Sequence, residues 1–193
     1  MQAPIILASS SAFRKSLLER LHLTFECHSP EVDESLLPGE SASSYVCRLA
    51  EAKAQAVADK FPGAVIIGSD QCALRDDEIL GKPGNHDNAL RQLKAAQGKT
   101  VVFHTGICVL HQTTNFCEVD DILFQVKFRQ LNNTQLEHYL QTEQPYQCAG
   151  AFKSEGYGVS LFSEMHGDDP TALIGLPLIR LTSMLEKVGI EVI

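Results

Sequence analysis

The sequence predicts an α/β fold in which helices pack on a mixed sheet. Short apolar runs at residues 5–8 and 64–68 are typical of buried strands, and amphipathic helical patterns lie between and after them. Two longer β-rich segments, 100–111 and 116–129, are joined by a short polar stretch and predict an antiparallel hairpin. No internal repeat, low-complexity tract or long linker divides the sequence, so we expect one domain over residues 1–193.

The first predicted strand leads into a serine loop and then into a helix. Ser9, Ser10 and Ser11 follow residues 5–8 directly, before an amphipathic pattern. Serine hydroxyls cap helices, and the free N–H groups at the start of a helix, together with its dipole, attract anions. Arg14 in the first turn adds a planar cation. Either the segment is an anion site, or Ser11 is simply an N-cap and Arg14 a solvated helix residue.

A lysine interrupts the apolar face of the next predicted helix, residues 43–57. Lys53 lies one turn from both Leu49 and Val57, which belong to that face. An inward lysine loses hydration unless its ammonium meets an anion or its flexible stem lets the charge reach water. The pattern leaves both outcomes open.

An acid and a second lysine follow the second predicted strand. Residues 64–68 lead into Asp70, so the pattern places this carboxylate where the strand leaves the sheet. In open α/β sheets, ligands bind at the carboxyl ends of strands. Lys82 follows on a turn that contains glycine and proline. Taken singly, Asp70 can be a turn cap and Lys82 a solvated loop residue. Together with Lys53 and Arg14, they predict a site for a polyphosphate and a metal.

The remaining predicted elements are helices. Residues 85–97 form a helical pattern with Asn85 as its cap and Gly98 as its stop. Shorter patterns predict helices over 134–141 and 177–188. These helices, placed among the strands, complete the α/β prediction.

Composition narrows the class of protein. A chain of 193 residues with 44% hydrophobic residues can bury one sizeable core. The net charge of −8 provides no basic face, so we expect no polymeric nucleic acid as a partner. No leader pattern and no apolar run approaching a membrane span is found, so we expect a cytoplasmic protein without a membrane partner. The six cysteines form no C-x-x-C pair, which argues against a zinc or redox motif.

Six short motifs follow one another along almost the whole chain. They lie at residues 7–11 with Arg14, 30–34, 50–54, 68–71, 81–83 and 149–156. In this order they resemble the motifs of the Maf-like nucleoside triphosphate pyrophosphatase family. The Gly-Ser-Asp-Gln form of 68–71, the aromatic Phe13 and the sequence Phe-Lys-Ser-Glu at 152–155 are similar to the 7-methyl-GTP pyrophosphatase subgroup.

The resemblance implies both a shape and a reaction. The implied fold is an elongated mixed sheet with flanking helices and two lobes around a cleft, similar to inosine triphosphate pyrophosphatases, with a homodimer possible. The implied reaction hydrolyses 7-methyl-GTP to 7-methyl-GMP and pyrophosphate, which removes modified nucleotides from the pool. Alternatives are a pyrophosphatase for dTTP, UTP or another modified nucleotide, or a nucleotide-binding regulator of septum formation and cell division.

The resemblance also assigns roles to residues that handle phosphate. It implies that Asp70 is the catalytic proton acceptor. The implied phosphate-binding residues are Ser9, Ser11, Arg14, Lys53 and Lys82. Glu34 is our candidate for a ligand of Mg²⁺ or Mn²⁺, together with Asp70 and water. The alternative for Glu34 is a capping or solvated acid on a loop.

Three further residues are expected to select the base. A 7-methylguanine ring carries a positive charge, so stacking on Phe13 would gain a cation–π attraction that plain guanine lacks. Glu155 can accept both donors on the Watson–Crick edge of guanine. Gln71, beside the catalytic acid, can serve either the base or the ribose. The resemblance supports these positions, and the contacts themselves are hypotheses.

Overall fold

A computed structural model describes residues 3–193 and contains a mixed sheet flanked by helices. The strands are β1 (Ile5–Ala8), β2 (Phe25–Cys27), β3 (Val65–Arg75), β4 (Glu78–Leu80), β5 (Thr100–His111), β6 (Phe116–Phe128) and β7 (Phe162–His166). The α-helices are α1 (Ala12–Glu19), α2 (Ala42–Ala58), α3 (His86–Ala96), α4 (Asn133–Glu143), α5 (Pro170–Ile174) and α6 (Leu178–Lys187). Short 3₁₀ turns lie at Gln112–Thr114, Ala149–Ala151 and Tyr157–Leu161.

The sheet has seven strands in the order β2-β1-β3-β5-β6-β7, with β4 paired to β3. Strand β1 is parallel to both β2 and β3, whereas the β3–β4 and β6–β7 pairs are antiparallel. Strands β5 and β6 are neighbours joined by a single 3₁₀ turn, as expected for the predicted hairpin. The prediction of an α/β fold with a mixed sheet is therefore confirmed.

The chain divides into two compact units. The first contains the residues up to Gln71 together with Thr105–Ile122 and Asp169–Ile193, and the second contains Cys72–His104 and Leu123–Asp168. Strands β3, β5 and β6 each continue from one unit into the other. A single domain over residues 1–193 stays a prediction.

The core of the first unit lies on both faces of the sheet. Alternate side chains of a strand point to opposite faces, so neighbouring residues of β1 enter different clusters. Leu7 packs with α1 and α6 on one face, whereas Ile6 packs with α2 on the other. This two-sided burial explains why the strand sequences are continuous apolar runs.

Two glycines let helix α2 lie directly on the sheet. A Cβ added at Gly68 in β3 would overlap the backbone oxygen of Ala50, and one at Gly106 in β5 would overlap that of Val46. Both oxygens belong to α2. The close approach brings the inward face of α2, which includes Lys53, against β3.

The core of the second unit is rich in aromatic rings. Phe152 packs edge to face against Phe103 and Phe162, with ring centroids 5.2 and 4.8 Å apart. Phe152 is buried and immediately precedes Lys153. This packing anchors the start of the segment that carries Glu155.

Several predicted boundaries were wrong. The pattern ended the second strand at residue 68, but β3 continues to Arg75, so Asp70 lies inside a strand and not at its end. The polar residues that suggested an end find hydrogen-bond partners inside the fold, which lets the strand continue. Strands β2, β4 and β7 and helix α5 are at most five residues long, too short for a periodic pattern to predict.

The helix predictions agree more closely with the structure. Asn85 caps α3 by accepting a hydrogen bond from the Asn88 N–H, as predicted. Helices α2, α4 and α6 each match a predicted helix to within about two residues at either end, the usual uncertainty of helix boundaries. A membrane-crossing helix would need a longer and more apolar segment than any helix of residues 3–193 provides.

Candidate active site

The centre of the site is a buried lysine between two carboxylates. Lys53 is 6% exposed and Asp70 is 7% exposed. The ammonium nitrogen Nζ of Lys53 lies 2.6 Å from Asp70 Oδ1 and 2.6 Å from Glu34 Oε1. Lys53 therefore meets anions, and the alternative in which its charge simply reaches water is wrong.

Local structure explains why these three side chains meet. Gly68 and Asp70 are two residues apart in β3, so they share the sheet face on which α2 lies. Lys53 is on the inward face of α2 and reaches Asp70 from above that face. Glu34 comes from the loop before α2, which the Tyr45 hydroxyl ties to the helix through a 2.9 Å bond to the Glu34 carbonyl.

The serine loop folds as a helix cap beside this cluster. Ser11 is the N-cap of α1, and its hydroxyl accepts a 3.4 Å hydrogen bond from the Arg14 N–H. The Ser9 hydroxyl accepts a 3.1 Å bond from the Ser11 N–H. Capping is therefore correct for Ser11, and it does not exclude a second role, because each hydroxyl retains its own proton to donate.

Arg14 is held in place through its Nε nitrogen. Its Nε donates a 2.8 Å hydrogen bond to the carbonyl of Gly175. Within residues 3–193, neither terminal nitrogen of Arg14 donates a hydrogen bond. Burial lowers the pKa of Arg14, while the negative charges of Asp70 and Glu34 oppose that shift. The guanidinium stays charged at any physiological pH, so Arg14 can offer its two terminal nitrogens to an anion.

Gln71 is engaged in a network inside the first unit. Its Nε2 lies 2.8 Å from the Ala172 carbonyl, 3.1 Å from the Leu173 carbonyl and 3.1 Å from the Thr105 hydroxyl. Because carbonyl oxygens only accept, these contacts fix the orientation of the amide. Its nitrogen is thus committed to the α5 segment, and Oε1 is the atom through which Gln71 can contact a ligand.

Sequence reasoning missed two supporting side chains, those of Ser69 and Thr105. The buried Ser69 hydroxyl donates a 3.0 Å hydrogen bond to Gly175, the same carbonyl that Arg14 contacts. The buried Thr105 hydroxyl donates a 2.9 Å bond to the Ala172 carbonyl. The position of Ser69 next to the predicted acid was a signal for its role, whereas nothing in the sequence around Thr105 was such a signal.

The other predicted residues lie at exposed positions. Phe13 is 39% exposed at the start of α1, in the first unit. Lys82 and Glu155 are exposed in the second unit. The loop of Lys82 is held by a 2.9 Å hydrogen bond from the Gly84 N–H to the Tyr146 carbonyl. The structure thus brings Arg14, Glu34, Lys53 and Asp70 together and places Lys82 and Glu155 on separate loops of the second unit.

Comparison with known proteins identifies the family. A family model described as Maf-like protein matches residues 4–188. The chain belongs to the Maf-like family. Its recognition from six ordered motifs is therefore confirmed.

Individual relatives of this Maf-like chain are similar over nearly their whole length. A Methylobacillus flagellatus protein named 7-methyl-GTP pyrophosphatase is 54% identical over 98% of this chain and 99% of its own. A protein of the same name from Nitrosococcus oceani is 52% identical over 98% of this chain and 95% of its own. A third of that name, from Pseudomonas fluorescens, is 53% identical over 97% and 98%.

The Maf-like site suits a divalent metal that is bound jointly by protein carboxylates, water and substrate phosphates. Residues 3–193 contain no group of three or more His, Cys, Asp or Glu side chains that could hold a metal ion. Asp70 and Glu34, however, approach one cation together, the ammonium of Lys53. Mg²⁺ is often bound by one or two carboxylates, with water and substrate phosphates completing its shell. The two carboxylates match that mode of binding.

A separate cavity of about 320 Å³ lies in the second unit of the Maf-like chain. Its walls include His138 and Tyr157, and it contains none of the predicted site residues. The cavity is therefore distinct from the candidate site around Asp70.

Proposed function

We propose that this chain hydrolyses 7-methyl-GTP to 7-methyl-GMP and pyrophosphate, and that this removes modified nucleotides from the pool. The observation that carries the proposal is the buried Asp70–Lys53 pair beside Arg14, in a chain whose full-length relatives bear the name of this activity. A buried acid paired with a lysine and lying near an arginine suits water activation beside a polyphosphate.

Asp70 is the proton acceptor in this proposal. Its Oδ1 is held by Lys53, so we assign the proton of the attacking water to the other oxygen, Oδ2. The water oxygen bonds to the α phosphorus, the bond from that phosphorus to the oxygen bridging the α and β phosphates breaks, and the bridging oxygen leaves with its electron pair as part of pyrophosphate. Lys53 keeps one of its three N–H donors beyond the two carboxylates, and we assign that donor to a phosphate oxygen.

The remaining cationic and hydroxyl groups hold the phosphates. Arg14 offers its terminal nitrogens as a planar fork, which matches two phosphate oxygens. Ser9 and Ser11 offer hydroxyl donors at the start of α1, where the helix dipole favours negative charge. Lys82 adds a flexible positive charge from its exposed loop.

We propose that Glu34 and Asp70 bind Mg²⁺ or Mn²⁺ with the substrate. Such an ion supplies charge neutralisation of the phosphates. The proposal rests on the proximity of the two carboxylates to one cation. Omission of divalent metal with EDTA present should abolish turnover, and Glu34→Gln should raise the metal concentration needed for half-maximal rate.

The base is selected by Phe13 and Glu155 in this proposal. Phe13 offers an exposed ring on which a cationic 7-methylguanine gains attraction. Glu155 offers a carboxylate for the two donors of guanine. The role of Gln71 is restricted to contacts through Oε1, because its nitrogen is already engaged.

A nucleotide panel tests the substrate. Pyrophosphate release is measured for 7-methyl-GTP, GTP, dTTP and UTP, each with Mg²⁺ and with Mn²⁺. We expect the highest kcat/KM for 7-methyl-GTP. Preference for dTTP or UTP would support the alternative substrates, and binding without turnover of any nucleotide would support a regulatory role.

The variant Asp70→Asn tests the chemistry. It keeps the shape of the side chain and removes the proton acceptor, so kcat should fall by roughly 10²–10⁴ while nucleotide binding persists. Binding is measured by calorimetry with 7-methyl-GTP. Near-normal turnover would exclude Asp70 from the mechanism.

We also propose that the protein acts in the cytoplasm and forms a homodimer. The location follows from where nucleoside triphosphates are used, and the dimer follows from the family resemblance. Light scattering after size-exclusion chromatography measures the mass against the 21.2 kDa of one chain. A monomer at micromolar concentration would contradict the dimer.

A further inference from the structure

A single carboxylate closes the turn that carries Glu155. Glu143, at the end of α4, accepts a 3.0 Å hydrogen bond from the Tyr157 N–H through Oε2. Its Oε1 lies 3.3 Å from the Lys153 ammonium, and its backbone carbonyl accepts a 2.8 Å bond from the same nitrogen. Glu143 therefore binds both ends of the segment 153–157, called here the 153–157 turn.

The turn fits closely around this carboxylate. The Glu143 side chain is only 18% exposed, whereas Glu155 at the middle of the turn is exposed. A Cβ added at Gly156 would lie 3.1 Å from Glu143 Oε2, so the chain passes the carboxylate with little space to spare. The turn thus surrounds Glu143 and presents Glu155 outward.

The start of the turn is fixed from a second direction. The Lys153 N–H donates a 3.2 Å hydrogen bond to the Tyr139 hydroxyl, and the preceding Phe152 is buried in the aromatic core. Tyr139 is itself fully buried in α4. Helix α4 therefore holds the first residue of the turn through Tyr139 and closes the turn through Glu143.

We propose that Glu143 is a positioning residue for base selection, acting through Glu155. The proposal rests on the proposed function, in which Glu155 pairs with two donors of the guanine edge. A bidentate contact needs both oxygens of Glu155 placed to within a fraction of an ångström. Glu143 supplies that placement without touching the nucleotide.

The charge of Glu143, and not only its shape, matters for this role. In Glu143→Gln an amide oxygen can still accept from the Tyr157 N–H. The ion pair with Lys153 is lost, however, and the amide nitrogen repels the lysine donor. The variant should therefore fold normally while the 153–157 turn loosens.

The first test compares Glu143→Gln with Glu164→Gln as a matched control. Glu164 also pairs with a lysine of the second unit, Lys127 at 2.8 Å, and with His166 at 3.4 Å, and both of these partners lie outside the 153–157 turn. The measurement is the ratio of kcat/KM between the best and worst nucleotides of the wild-type panel. Glu143→Gln should lower this ratio about 10- to 100-fold, the scale of a lost charge-assisted pair, chiefly through KM of the best nucleotide. Glu164→Gln should leave it unchanged.

The second test asks whether Glu143 acts through Glu155. If it does, adding Glu143→Gln to Glu155→Gln should lower the ratio no further. If the loss of the ratio in the double variant equals the sum of the losses in the two single variants, the positioning role is overturned. An unchanged ratio in Glu143→Gln alone would overturn it as well. A wild type that prefers another nucleotide would contradict the proposed function, and the ratio would still decide the role of Glu143.

A third measurement is independent of activity. Trypsin cleaves after lysine only where the chain can open locally. Cleavage after Lys153, followed by mass spectrometry, should be faster in Glu143→Gln than in the wild type and in Glu164→Gln. Equal cleavage in all three proteins would show that Glu143 does not hold the turn. If Glu143→Gln does not fold, Lys153→Met removes the same ion pair and should lower the nucleotide ratio.

Discussion

At the scale of single residues, the site depends on how one buried charge is compensated. Lys53 loses its hydration inside the first unit and regains favourable interactions from Asp70 and Glu34, both 2.6 Å away. A buried ion pair is weak evidence for stability, because desolvation offsets most of the attraction. Removing one partner is different, since it leaves the other charge buried without compensation.

The variant Lys53→Met tests this balance. It leaves Asp70 buried without its lysine, so the free energy of unfolding should fall, by up to about 3–5 kcal/mol. The double variant Lys53→Met with Asp70→Asn removes both charges and should recover most of that loss. Urea unfolding at pH 7 measures both. The exposed lysine variant Lys15→Met is the control, and a Lys53→Met protein as stable as this control would contradict the expected coupling.

A second prediction at this scale concerns Phe13. Phe13→Leu keeps an apolar side chain but removes the ring face, so the preference for 7-methyl-GTP over GTP should fall by about 0.5–2 kcal/mol. Phe13→Tyr retains the ring and should keep the preference. Both are read from kcat/KM for the two nucleotides. A ratio that is the same in the leucine variant and the wild type would end the stacking hypothesis.

At the scale of elements, the packing of α2 on β3 and β5 sets the geometry of the site. Two glycines allow the helix backbone to touch the sheet, and Lys53 and Asp70 face each other as a result. The distance between these two elements therefore controls both a packing contact and the contact between Lys53 and Asp70, for which we propose a catalytic role.

The variant Gly68→Ala tests that distance. The added methyl group overlaps the Ala50 carbonyl, so α2 must move, at a cost of roughly 1–3 kcal/mol or more. We expect a lower melting temperature and a loss of turnover, because the Lys53–Asp70 contact is displaced. Gly81→Ala is the matched control for stability, since a Cβ at that position meets nothing within 4 Å. Equal melting temperatures for the two variants would contradict the close approach.

At the scale of the whole molecule, a cluster of surface charges links α6 to the sheet and responds to acid. Glu118 on β6 lies 2.8 Å from the Lys187 ammonium and 2.7 Å from the Arg180 guanidinium, both on α6. The hydrogen bond from Lys187 is the largest cause that lowers the pKa of Glu118 below its ordinary value of 4.5; burial opposes it, and the hydrogen bond from Arg180 adds to the lowering. A lowered pKa in the folded state means that Glu118 stabilises the protein when ionised.

The expected pH dependence follows from that direction. The contribution of Glu118 is fully present above about pH 4.5 and is lost as the pH falls through its lowered pKa. The melting temperature of Glu118→Gln should therefore lie below that of the wild type at pH 7, and the difference should shrink as the pH is lowered below 4.5. Surface pairs contribute about 0–1 kcal/mol each, so the difference at pH 7 should be a few degrees. Glu186→Gln, at an exposed position of α6, is the control. A gap that does not shrink below pH 4.5 would contradict the assignment.

The sequence by itself determined the local elements and the side that each one buries. A continuous apolar run identified β1 and β-rich segments identified the β5–β6 hairpin, whereas apolar periodicity identified α2 and α3, because burial on one face leaves a repeating pattern in neighbouring residues. The same pattern placed Lys53 on an inward face. The order of the motifs was enough to identify the family.

Only the tertiary structure decided which partners these residues have. Asp70 meets a lysine 17 residues away, Gln71 binds carbonyls 101 and 102 residues away, and Ser69 binds one 106 residues away. Several of these acceptors are backbone carbonyls, which every residue possesses, so the identity of the accepting residue carries no signal. The extension of β3 through Ser69 and Asp70 was unpredictable for the same reason: polar residues continue a strand only when distant parts of the chain supply their hydrogen bonds.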